Sequence, residues 1–390
     1  MSVEPELAPL VAHLIYRLDV GGLENGLVNL INHAPRDAFR HSIICLTYDT
    51  DFRKRIVRSD VPIFALHKPP GNSPMTQVRL WRLLRRLRPR ILHSRNLAAL
   101  EGALTAALAG VPVRIHGEHG RDVDDLDGDN RGRQRLRRLY KPFVHHYVAL
   151  SKDLEQYLEQ KIHVPPSRIR QQYNGVDTDL FHPVRERRDS LPVTGFAGED
   201  TFVIGTVGRM QAVKDQVTLA RAFVLMLERA PAARERLRLV MVGEGPLRQE
   251  VSTILAEAGA KHLAWLAGDR DDVAQIMRGL DLFVLPSLAE GISNTILEAM
   301  ASGLPVLATA VGGNGELVEE GRTGRLVPRA DPDAMATAML SYFSDDEERG
   351  RHGREARRSV EARFSISAMV NGYLSLYKSV LESTGKAHIS

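Results

Sequence analysis

The sequence predicts two α/β domains, each built on a parallel β-sheet with helices on both faces. Short apolar runs rich in Val, Ile and Leu alternate with helical patterns along nearly the whole chain. These runs are continuously apolar rather than alternating, as strands covered on both faces are. The chain has 390 residues, which is enough for two domains of ordinary size with sizeable cores.

The predicted strands fall into two groups separated by a polar segment, residues 174–200, which contains Pro183 and Pro192 and has weak periodicity. This segment is the natural boundary, so we expect domains at 1–175 and 176–365. Residues 366–390 are predicted to form a helix that packs back towards the first domain. The strand runs are 11–18, 41–48, 90–95, 113–119 and 146–151, then 202–208, 237–245, 263–268, 280–287 and 305–312.

Ligands of such sheets bind beyond the carboxyl ends of the strands, so a cleft between the two domains is the expected site.

Composition favours a soluble globular protein of the cytoplasm, with 43% hydrophobic and 26% charged residues. The single cysteine, Cys45, excludes an internal disulfide framework and fits a reducing compartment. Acidic residues stand near the N-terminus where a signal peptide would be basic, and no apolar run of about 18 residues could span a bilayer. Any membrane association is therefore expected to be peripheral.

Positive charge is concentrated in the first half. Residues 1–180 hold 27 Lys or Arg against 20 Asp or Glu, a net +7, whereas the whole chain is +4. Two segments, Arg79–Arg90 and Arg131–Lys141, carry arginines with leucines at helical spacing beneath them. They fit solvated helix faces packed through their leucines, or a surface that meets anionic lipid headgroups. Nucleic acid is disfavoured because no aromatic platform accompanies the arginines.

Two glutamates flank a predicted helix start in the segment Ser287–Val306. Glu290 follows the strand 280–287, and Glu298 lies about one turn inside the helix, which ends near Gly303. Unpaired N–H groups and the helix dipole at such a start favour an anion such as phosphate. The amides in position to bind it are those of Gly291, Ile292 and Ser293. A diphosphate flanked by two sugars fits, with one carboxylate accepting hydroxyl hydrogen bonds on each side.

The second half carries the motifs GTVGRM, VMVGEGP, DLFVLPSLAEGISNTILEAMASGLPVLATAVGG and ELVEEGRTGRLV, with NGVDTDLFHP at the junction. In these motifs the chain resembles the retaining, nucleotide-sugar-dependent glycosyltransferases of family four, or group one, which have the GT-B fold. The resemblance implies that Glu290 contacts the transferred sugar, Glu298 the ribose, and Arg209 and Lys214 the diphosphate. Fixed cations there stabilise the charge that develops on the leaving group. Asp215 stands where the family more often has Gly or Asn, and we expect its carboxylate to weaken the local positive potential.

Three further residues are assigned by the same resemblance. Gly22, in a glycine pair that opens a helix after the first strand, lies near the diphosphate and acceptor. His119, at the end of the strand 113–119, lies near the donor sugar; His116 is the poorer positional match. The nucleotide base is held by backbone near Gly268, which does not distinguish a UDP donor from a GDP donor.

The resemblance also implies the reaction and its partners: a hexose-type sugar moves from a nucleoside diphosphate sugar to a hydroxyl acceptor. The acceptor attacks on the leaving group's own face, so anomeric configuration is retained. The first half resembles a narrower group, the sugar transferases of bacterial exosortase and PEP-CTERM exopolysaccharide loci, which implies a lipid-linked glycan acceptor. The alternatives are a nucleotide-sugar 2-epimerase and a non-catalytic sugar-nucleotide or lipid-binding protein.

The acidic segment Asp125–Asp129 could hold a hard cation. Arginine, lysine and a helix start already supply positive charge, and enzymes of this fold generally work without metal. We therefore expect no metal, and no cofactor besides the donor.

Overall fold

The computed structural model describes residues 7–120, 125, 127–184, 191–193, 195–196, 198 and 200–386. The chain divides into two compact units. Unit 1 runs to Gly175 and resumes at Ile366, and unit 2 spans Val176–Ser365. Each is an α/β unit on a parallel sheet, which confirms the predicted fold class.

Unit 1 contains a sheet with the strand order β3-β2-β1-β4-β5-β6-β7 among its described residues. Its strands are β1 (Leu10–Ile15), β2 (Arg40–Cys45), β3 (Ile63–Ala65), β4 (Ile91–Arg95), β5 (Val113–Glu118), β6 (His146–Ala149) and β7 (Ile169–Gln171). Its helices are α1 (Gly22–His33), α2 (Pro74–Leu87), α3 (Leu97–Leu100), α4 (Gly102–Leu108), α5 (Arg131–Tyr140) and α6 (Lys152–Gln156). All the strand pairs are parallel.

Unit 2 contains a parallel sheet in the order β10-β9-β8-β11-β12-β13. Its strands are β8 (Phe202–Val207), β9 (Leu237–Val242), β10 (Ala264–Gly268), β11 (Leu282–Leu285), β12 (Val306–Thr309) and β13 (Gly324–Val327). Its helices are α7 (Gln216–Arg229), α8 (Arg248–Glu257), α9 (Val273–Arg278), α10 (Asn294–Ala301), α11 (Asn314–Leu317), α12 (Pro332–Ser344) and α13 (Asp346–Arg363). The last helix of the chain, α14 (Ile366–Lys386), belongs to unit 1.

The two faces of the unit 1 sheet differ in chemistry. One face packs Leu14 and Leu92 against Leu80 of α2 in an apolar cluster. The opposite face carries His93 and Arg95 in addition to apolar residues, and the aromatic ring of Tyr377 on α14 packs against His93. A row of polar side chains is therefore buried in this unit.

The basic helices α2 and α5 bury different kinds of residue. In α2 the leucines are buried beneath exposed arginines, as predicted. In α5 the prediction is wrong: Arg137 is buried, whereas Leu139 is 64% exposed. Arg137 turns inward because Glu118, buried at the end of β5, accepts hydrogen bonds from its guanidinium.

The sequence runs matched the strands of the described chain except β3, β7 and β13. Each of these three strands is three or four residues long and lies at the edge of its sheet. They therefore lack the long apolar run of an inner strand. The order of the unit 2 sheet reverses between β8 and β11, and that of unit 1 between β1 and β4. Loops after these strands are the expected ligand-binding positions of doubly wound sheets.

Candidate active site

The loops after β8 and β11 in unit 2 carry most of the predicted donor-binding residues. The first leads into a 3₁₀ turn over Ala212–Lys214, and the second contains Glu290. The amide of Leu288 donates a hydrogen bond of 2.8 Å to the carbonyl of Val213. This bond joins the two loops, so their side chains are held at a fixed separation.

Lys214 and Glu290 are in direct contact. The Nζ atom of Lys214 lies 2.5 Å from Oε1 of Glu290, and the Ser287 hydroxyl donates to the same oxygen at 2.6 Å. Ser287 is itself fixed, because the Thr309 hydroxyl donates to its carbonyl oxygen at 2.6 Å. Only 9% of the Glu290 side chain is exposed. The glutamate is therefore held from two sides, and one of its partners is a cation assigned to the diphosphate.

The start of α10 presents unpaired amides next to this pair. Ser293 is the N-cap, and its hydroxyl accepts a hydrogen bond from the amide of Ile296 at 3.3 Å. The amides of Gly291, Ile292 and Ser293 donate to no acceptor within the described part of the chain. Such amides at a helix start can bind an anion.

A glycine on the neighbouring loop permits this backbone path. Gly312 has φ of +48°, and a Cβ atom there would lie 1.8 Å from the carbonyl oxygen of Glu290. A side chain at position 312 would displace the Glu290 backbone. The next residue, Gly313, donates its amide to the carbonyl of Gly291 at 3.0 Å. The loop after β12 thus supports the loop that carries the glutamate.

The other predicted residues of unit 2 lie at the same edge of the sheet. Arg209 directly follows Gly208 at the end of β8; its side chain is exposed and its guanidinium has no hydrogen bond or ion pair within the described residues. Glu298 is half-buried in α10. Gly268 ends β10, and its carbonyl accepts the Gly243 amide at 2.8 Å.

Asp215 caps a helix. Its carboxylate accepts hydrogen bonds from the Thr218 amide, at 3.3 Å, and hydroxyl, at 2.7 Å, at the start of α7. The residue has φ of +47°, a region that Gly, Asn and Asp tolerate better than other residues. Partial burial raises the pKa of this carboxyl. The carboxylate that we expect to weaken the positive potential at Lys214 therefore also caps α7.

In unit 1, His119 directly follows β5. Its amide donates to Oδ1 of Asn96 at 2.8 Å, and the Asn96 amide donates to the Gly117 carbonyl at 2.8 Å. Both ring nitrogens of His119 are buried and have no partner in the described part of the chain. Burial, followed by the charges of Arg95 and His116, lowers the pKa of His119 well below its usual value. A neutral imidazole with two unused nitrogens is suited to hydrogen bonding with a ligand.

The predicted Gly22 begins α1, directly after the loop that follows β1. Gly21, the N-cap, is extended, and its carbonyl accepts the Asn25 amide at 2.9 Å. The glycine pair is thus placed at the strand-order reversal of unit 1, as Arg209 is in unit 2.

Two family models match the chain. The model described as Glycosyltransferase Family 4 matches residues 20–180, and the model described as Glycosyl transferases group 1 matches residues 201–345. The chain belongs to the group 1, family 4 glycosyltransferases. The two matches cover most of both units of this glycosyltransferase, including each predicted site residue.

The relatives of this glycosyltransferase act on several sugars. It is 25% identical to the Escherichia coli UDP-Gal:alpha-D-GlcNAc-diphosphoundecaprenol alpha-1,3-galactosyltransferase over 94% of the chain and 96% of that protein. It is 28% identical to the lipopolysaccharide core biosynthesis mannosyltransferase LpcC of Rhizobium leguminosarum bv. viciae over 77% of the chain and 82% of that protein. The two names specify different donor sugars, so family membership alone does not identify the donor sugar of this chain.

Solved structures show the same fold. Anabaena Alr3699/HepE, determined in complex with UDP and glucose, matches with a TM-score of 0.81 at 20% identity, over 95% of this chain and 99% of that chain. WaaG, a glycosyltransferase involved in lipopolysaccharide biosynthesis, matches with a TM-score of 0.73 at 15% identity, over 92% and 97% of the two chains. The glycosyltransferase therefore has the predicted two-domain GT-B fold.

The described residues contain neither a cluster of metal-ligating side chains nor a membrane-spanning helix. No group of three or more His, Cys, Asp or Glu side chains there could hold a metal ion. Asp122 and Asp124, in the acidic loop before α5, lie outside the described residues. Among the described helices, none combines the length and the hydropathy that crossing a bilayer needs.

Several residues that support the candidate site were not predicted from the sequence. Ser287 and Asn96 orient Glu290 and His119, and such small polar side chains give no periodic signal. Arg95 could have been found: a buried strand that reads Ile-Leu-His-Ser-Arg carries polar residues where apolar ones are expected. Buried polar residues of this kind are informative because burial is costly without a partner.

Proposed function

We propose that this glycosyltransferase moves a hexose-type sugar from a nucleoside diphosphate sugar to a hydroxyl acceptor, with retention of anomeric configuration. The observation that carries the proposal is the contact of Lys214 with Glu290 beside the unpaired amides at the start of α10. The cation of Lys214, the carboxylate of Glu290 and three unpaired amides thus lie together at one edge of the unit 2 sheet, and this arrangement supports the proposal.

The donor diphosphate is proposed to bind at this edge. Its oxygens accept from the amides of Gly291, Ile292 and Ser293 and from the guanidinium of Arg209, which is exposed and without a partner in the described chain. Lys214 supplies a second charge. When the sugar–phosphate bond breaks, negative charge grows on the diphosphate, so these groups stabilise the transition state more than the ground state.

Glu290 is proposed to bind hydroxyls of the transferred sugar. Its Oε1 atom is occupied by Lys214 and Ser287, which leaves Oε2 as an acceptor. A carboxylate held this way positions the sugar rather than attacking it. We infer that the departing diphosphate takes the acceptor proton, so that the protein contributes orientation and electrostatics. Glu298 is proposed to accept from the ribose, with the base against the backbone near Gly268.

A lipid-linked glycan is the proposed acceptor, in synthesis of an exopolysaccharide or another cell-surface polysaccharide. The sequence resemblance of the first half to exosortase-associated transferases supports it. The full-length Escherichia coli relative is named for a diphosphoundecaprenol-linked acceptor. Such an acceptor lies in a membrane, so the enzyme would have to reach the membrane surface.

Helix α2 is the proposed membrane-contacting surface. Met75 is 57% and Trp81 is 40% exposed on this helix, and Arg82 and Arg85 lie among them. Exposed apolar residues beside arginines fit an interface with anionic lipid headgroups. The Nε1 atom of Trp81 donates a hydrogen bond to the carbonyl of Leu108. The Leu108 side chain is 71% exposed and extends the apolar part of this surface.

Thermal-shift measurements with UDP-, GDP- and ADP-sugars test donor binding, because a ligand that binds only the folded state raises the Tm. We expect the sugars of one nucleotide to raise the Tm of the wild type, and we expect this rise to be lost in Arg209→Gln. The matched control is Arg354→Gln, an exposed arginine of α13. Incubation with an acceptor extract and NMR of the product then reads transfer and anomeric configuration. A changed nucleotide sugar without acceptor would indicate the epimerase.

Flotation with vesicles tests the membrane surface. Wild-type protein is expected to bind vesicles that contain anionic lipid at low salt and to dissociate at high salt. Arg82→Gln with Arg85→Gln should reduce binding. The control pair is Lys261→Gln with Arg354→Gln, two exposed cations of unit 2. Failure of the wild type to bind at low salt would contradict the proposal.

A further inference from the structure

A buried arginine in unit 1 has no acidic partner in the described chain. Arg95, the last residue of β4, is 2% exposed. Its guanidinium donates to Nδ1 of His13 at 3.1 Å and to the carbonyl of His93 at 3.4 Å, and it contacts the Tyr377 hydroxyl. None of these groups carries a negative charge. A positive charge buried without a counterion is costly and calls for a functional explanation.

The hydrogen bonds fix the protonation of two histidines near Arg95, His13 and His41. A guanidinium only donates, so Nδ1 of His13 must accept and its proton must lie on Nε2. Nε2 of His13 is 2.9 Å from Nδ1 of His41 and therefore donates to it. His13 and His41 are thus neutral, and burial followed by nearby arginines lowers the pKa of His41 to about 4. Neither ring therefore adds a second positive charge near Arg95.

His119 follows the strand that pairs with the strand of Arg95. Arg95 and Gly117 are paired across β4 and β5, and the His119 ring covers Gly117. A Cβ atom at position 117 would lie 2.8 Å from Nε2 of His119 and 3.2 Å from Nε2 of His93. The two nitrogens are therefore no more than about 6 Å apart. Glycine at 117 is what allows the imidazole to approach the arginine's strand.

The charged and titratable groups that face His119 come from two strands. Arg95 and His93 are on β4, and His116 and Glu118 are on β5. The carboxylate of Glu118 is the one anion among them, as far as the structure describes this region. It is bonded to Arg137 at 2.7 and 3.1 Å. Its charge is therefore already balanced, and Arg95 dominates the potential at the imidazole.

We propose that Arg95 is a positioning residue that acts through His119, keeping the imidazole uncharged and confining it to neutral hydrogen bonds with a sugar. The inference rests on the proposed function and sharpens it. A neutral imidazole has one donor and one acceptor, which suits hydroxyl groups. Binding of the diphosphate is then left to Arg209, Lys214 and the amides at the start of α10, and His119 contributes no cation to the leaving group.

The imidazole charge is measured directly by NMR titration of ring-labelled histidines, with His119→Asn to assign the signal. In the wild type we expect His119 to remain neutral at pH 5.5. Arg95→Gln removes the charge and should raise the pKa of His119 by at least one unit, whereas Arg95→Lys retains the charge and should leave it low. A His119 that titrates above pH 6 in the wild type would overturn the proposal, as would equal shifts in both variants.

The pH dependence of kcat/KM provides the second readout, since a merely structural role of Arg95 would lower activity equally at all pH values. In Arg95→Gln the acid limb should move to higher pH, by the same amount as the pKa of His119. In Arg95→Lys it should not move. If the pKa of His119 responds to the Arg95 variants as expected but the protein transfers no sugar, the proposed function is wrong. The effect of Arg95 on the charge of His119 is then still supported.

Direct replacement of the histidine covers the case in which the Arg95 variants do not fold. His119→Gln keeps a neutral side chain with a donor and an acceptor, and His119→Lys introduces a charge. We expect the glutamine variant to retain at least tenfold more activity than the lysine variant. The reverse order would show that His119 works as a cation and would overturn the proposal.

Discussion

The two sheets of this glycosyltransferase reverse their strand order in equivalent ways, yet they place cations there differently. In unit 2, Arg209 is exposed after β8 and Lys214 contacts the carboxylate of Glu290. In unit 1, Arg95 is buried at the end of β4 among neutral histidines. An exposed cation can bind a charged ligand directly. A buried cation acts on its neighbours, because in a low dielectric its charge determines which of them can ionise.

The difference teaches how one topology serves two kinds of ligand group. Diphosphate oxygens require donors and positive charge, which unit 2 supplies from a helix start and two loops. Sugar hydroxyls require neutral donors and acceptors, and an imidazole is restricted to that role only when its protonation is prevented. Four predictions test this contrast, from the largest expected effect to the smallest.

Acid should destabilise unit 1 before unit 2. Burial lowers the pKa values of His13, His93 and His119 well below 6.5, and that of His41 to about 4. In the unfolded chain these groups titrate near 6.5, so below that pH the unfolded state binds more protons and the free energy of unfolding decreases. The loss is about 1.4 kcal/mol per pH unit for each histidine that stays neutral.

Hydrogen exchange followed by mass spectrometry at pH 7 and pH 5, corrected for intrinsic exchange, separates the two units. Protection in β1, β2 and β4 should decrease, whereas that of β8 and β11 should change much less. Equal loss in both units would contradict the assignment of the buried histidines as neutral.

Breaking the buried ion pair of unit 1 should have the next largest effect. Burial alone would raise the pKa of Glu118, but Arg137 and His116 hold it at about 2. Glu118→Gln removes the carboxylate charge that accepts two hydrogen bonds from the buried Arg137, and we expect a loss of about 3 to 5 kcal/mol in urea unfolding. Glu118→Gln with Arg137→Met should recover much of it. Asp51→Asn, at an exposed pair with Lys54, serves as the control that changes little.

Removal of the Glu290 charge should affect catalysis rather than folding. Glu290→Gln weakens hydrogen bonds to a charged acceptor, worth about 1.5 to 3 kcal/mol, or roughly ten- to a hundredfold in kcat/KM. Ser287→Ala should cause a smaller loss, because it removes only one of the bonds that orient the carboxylate. Glu257→Gln on the exposed side of α8 is the matched control. Unchanged kcat/KM in Glu290→Gln would refute its role.

Much of this architecture could be predicted from the sequence. The inner strands are long apolar runs, and the sequence offers Ser293 or Asn294 as the cap of α10, of which the structure uses Ser293. The contact of Lys214 with Glu290 could not be predicted, because the residues lie 76 positions apart and only folding brings them together. Arg137 was assigned to the surface since helical periodicity cannot reveal a buried carboxylate on another element.

The roles of small polar residues were also hidden. Thr309 holds the Ser287 carbonyl, and Asn96 accepts the His119 amide while adopting φ of +58°. Such residues are read as turns or caps in sequence. Their importance comes from the three-dimensional position of the loops, which local patterns do not encode.

The smallest predicted effect concerns Asp215, where this chain departs from the Gly or Asn typical of its relatives. Asp215→Asn preserves tolerance of the left-handed conformation and an acceptor for the Thr218 amide, so the free energy of unfolding should change by less than about 1 kcal/mol. Asp215→Ala loses the cap and strains the backbone, and should cost about 2 kcal/mol.

Donor affinity distinguishes the capping role from an electrostatic one. If the carboxylate is occupied by Thr218, Asp215→Asn should leave the Kd of the nucleotide sugar within about twofold of the wild type at low salt. A fivefold tighter Kd, abolished by high salt, would show that the carboxylate opposes Lys214 after all. The exposed cation site of unit 2 would then be tuned by a neighbouring charge, as the buried histidine site of unit 1 is by Arg95.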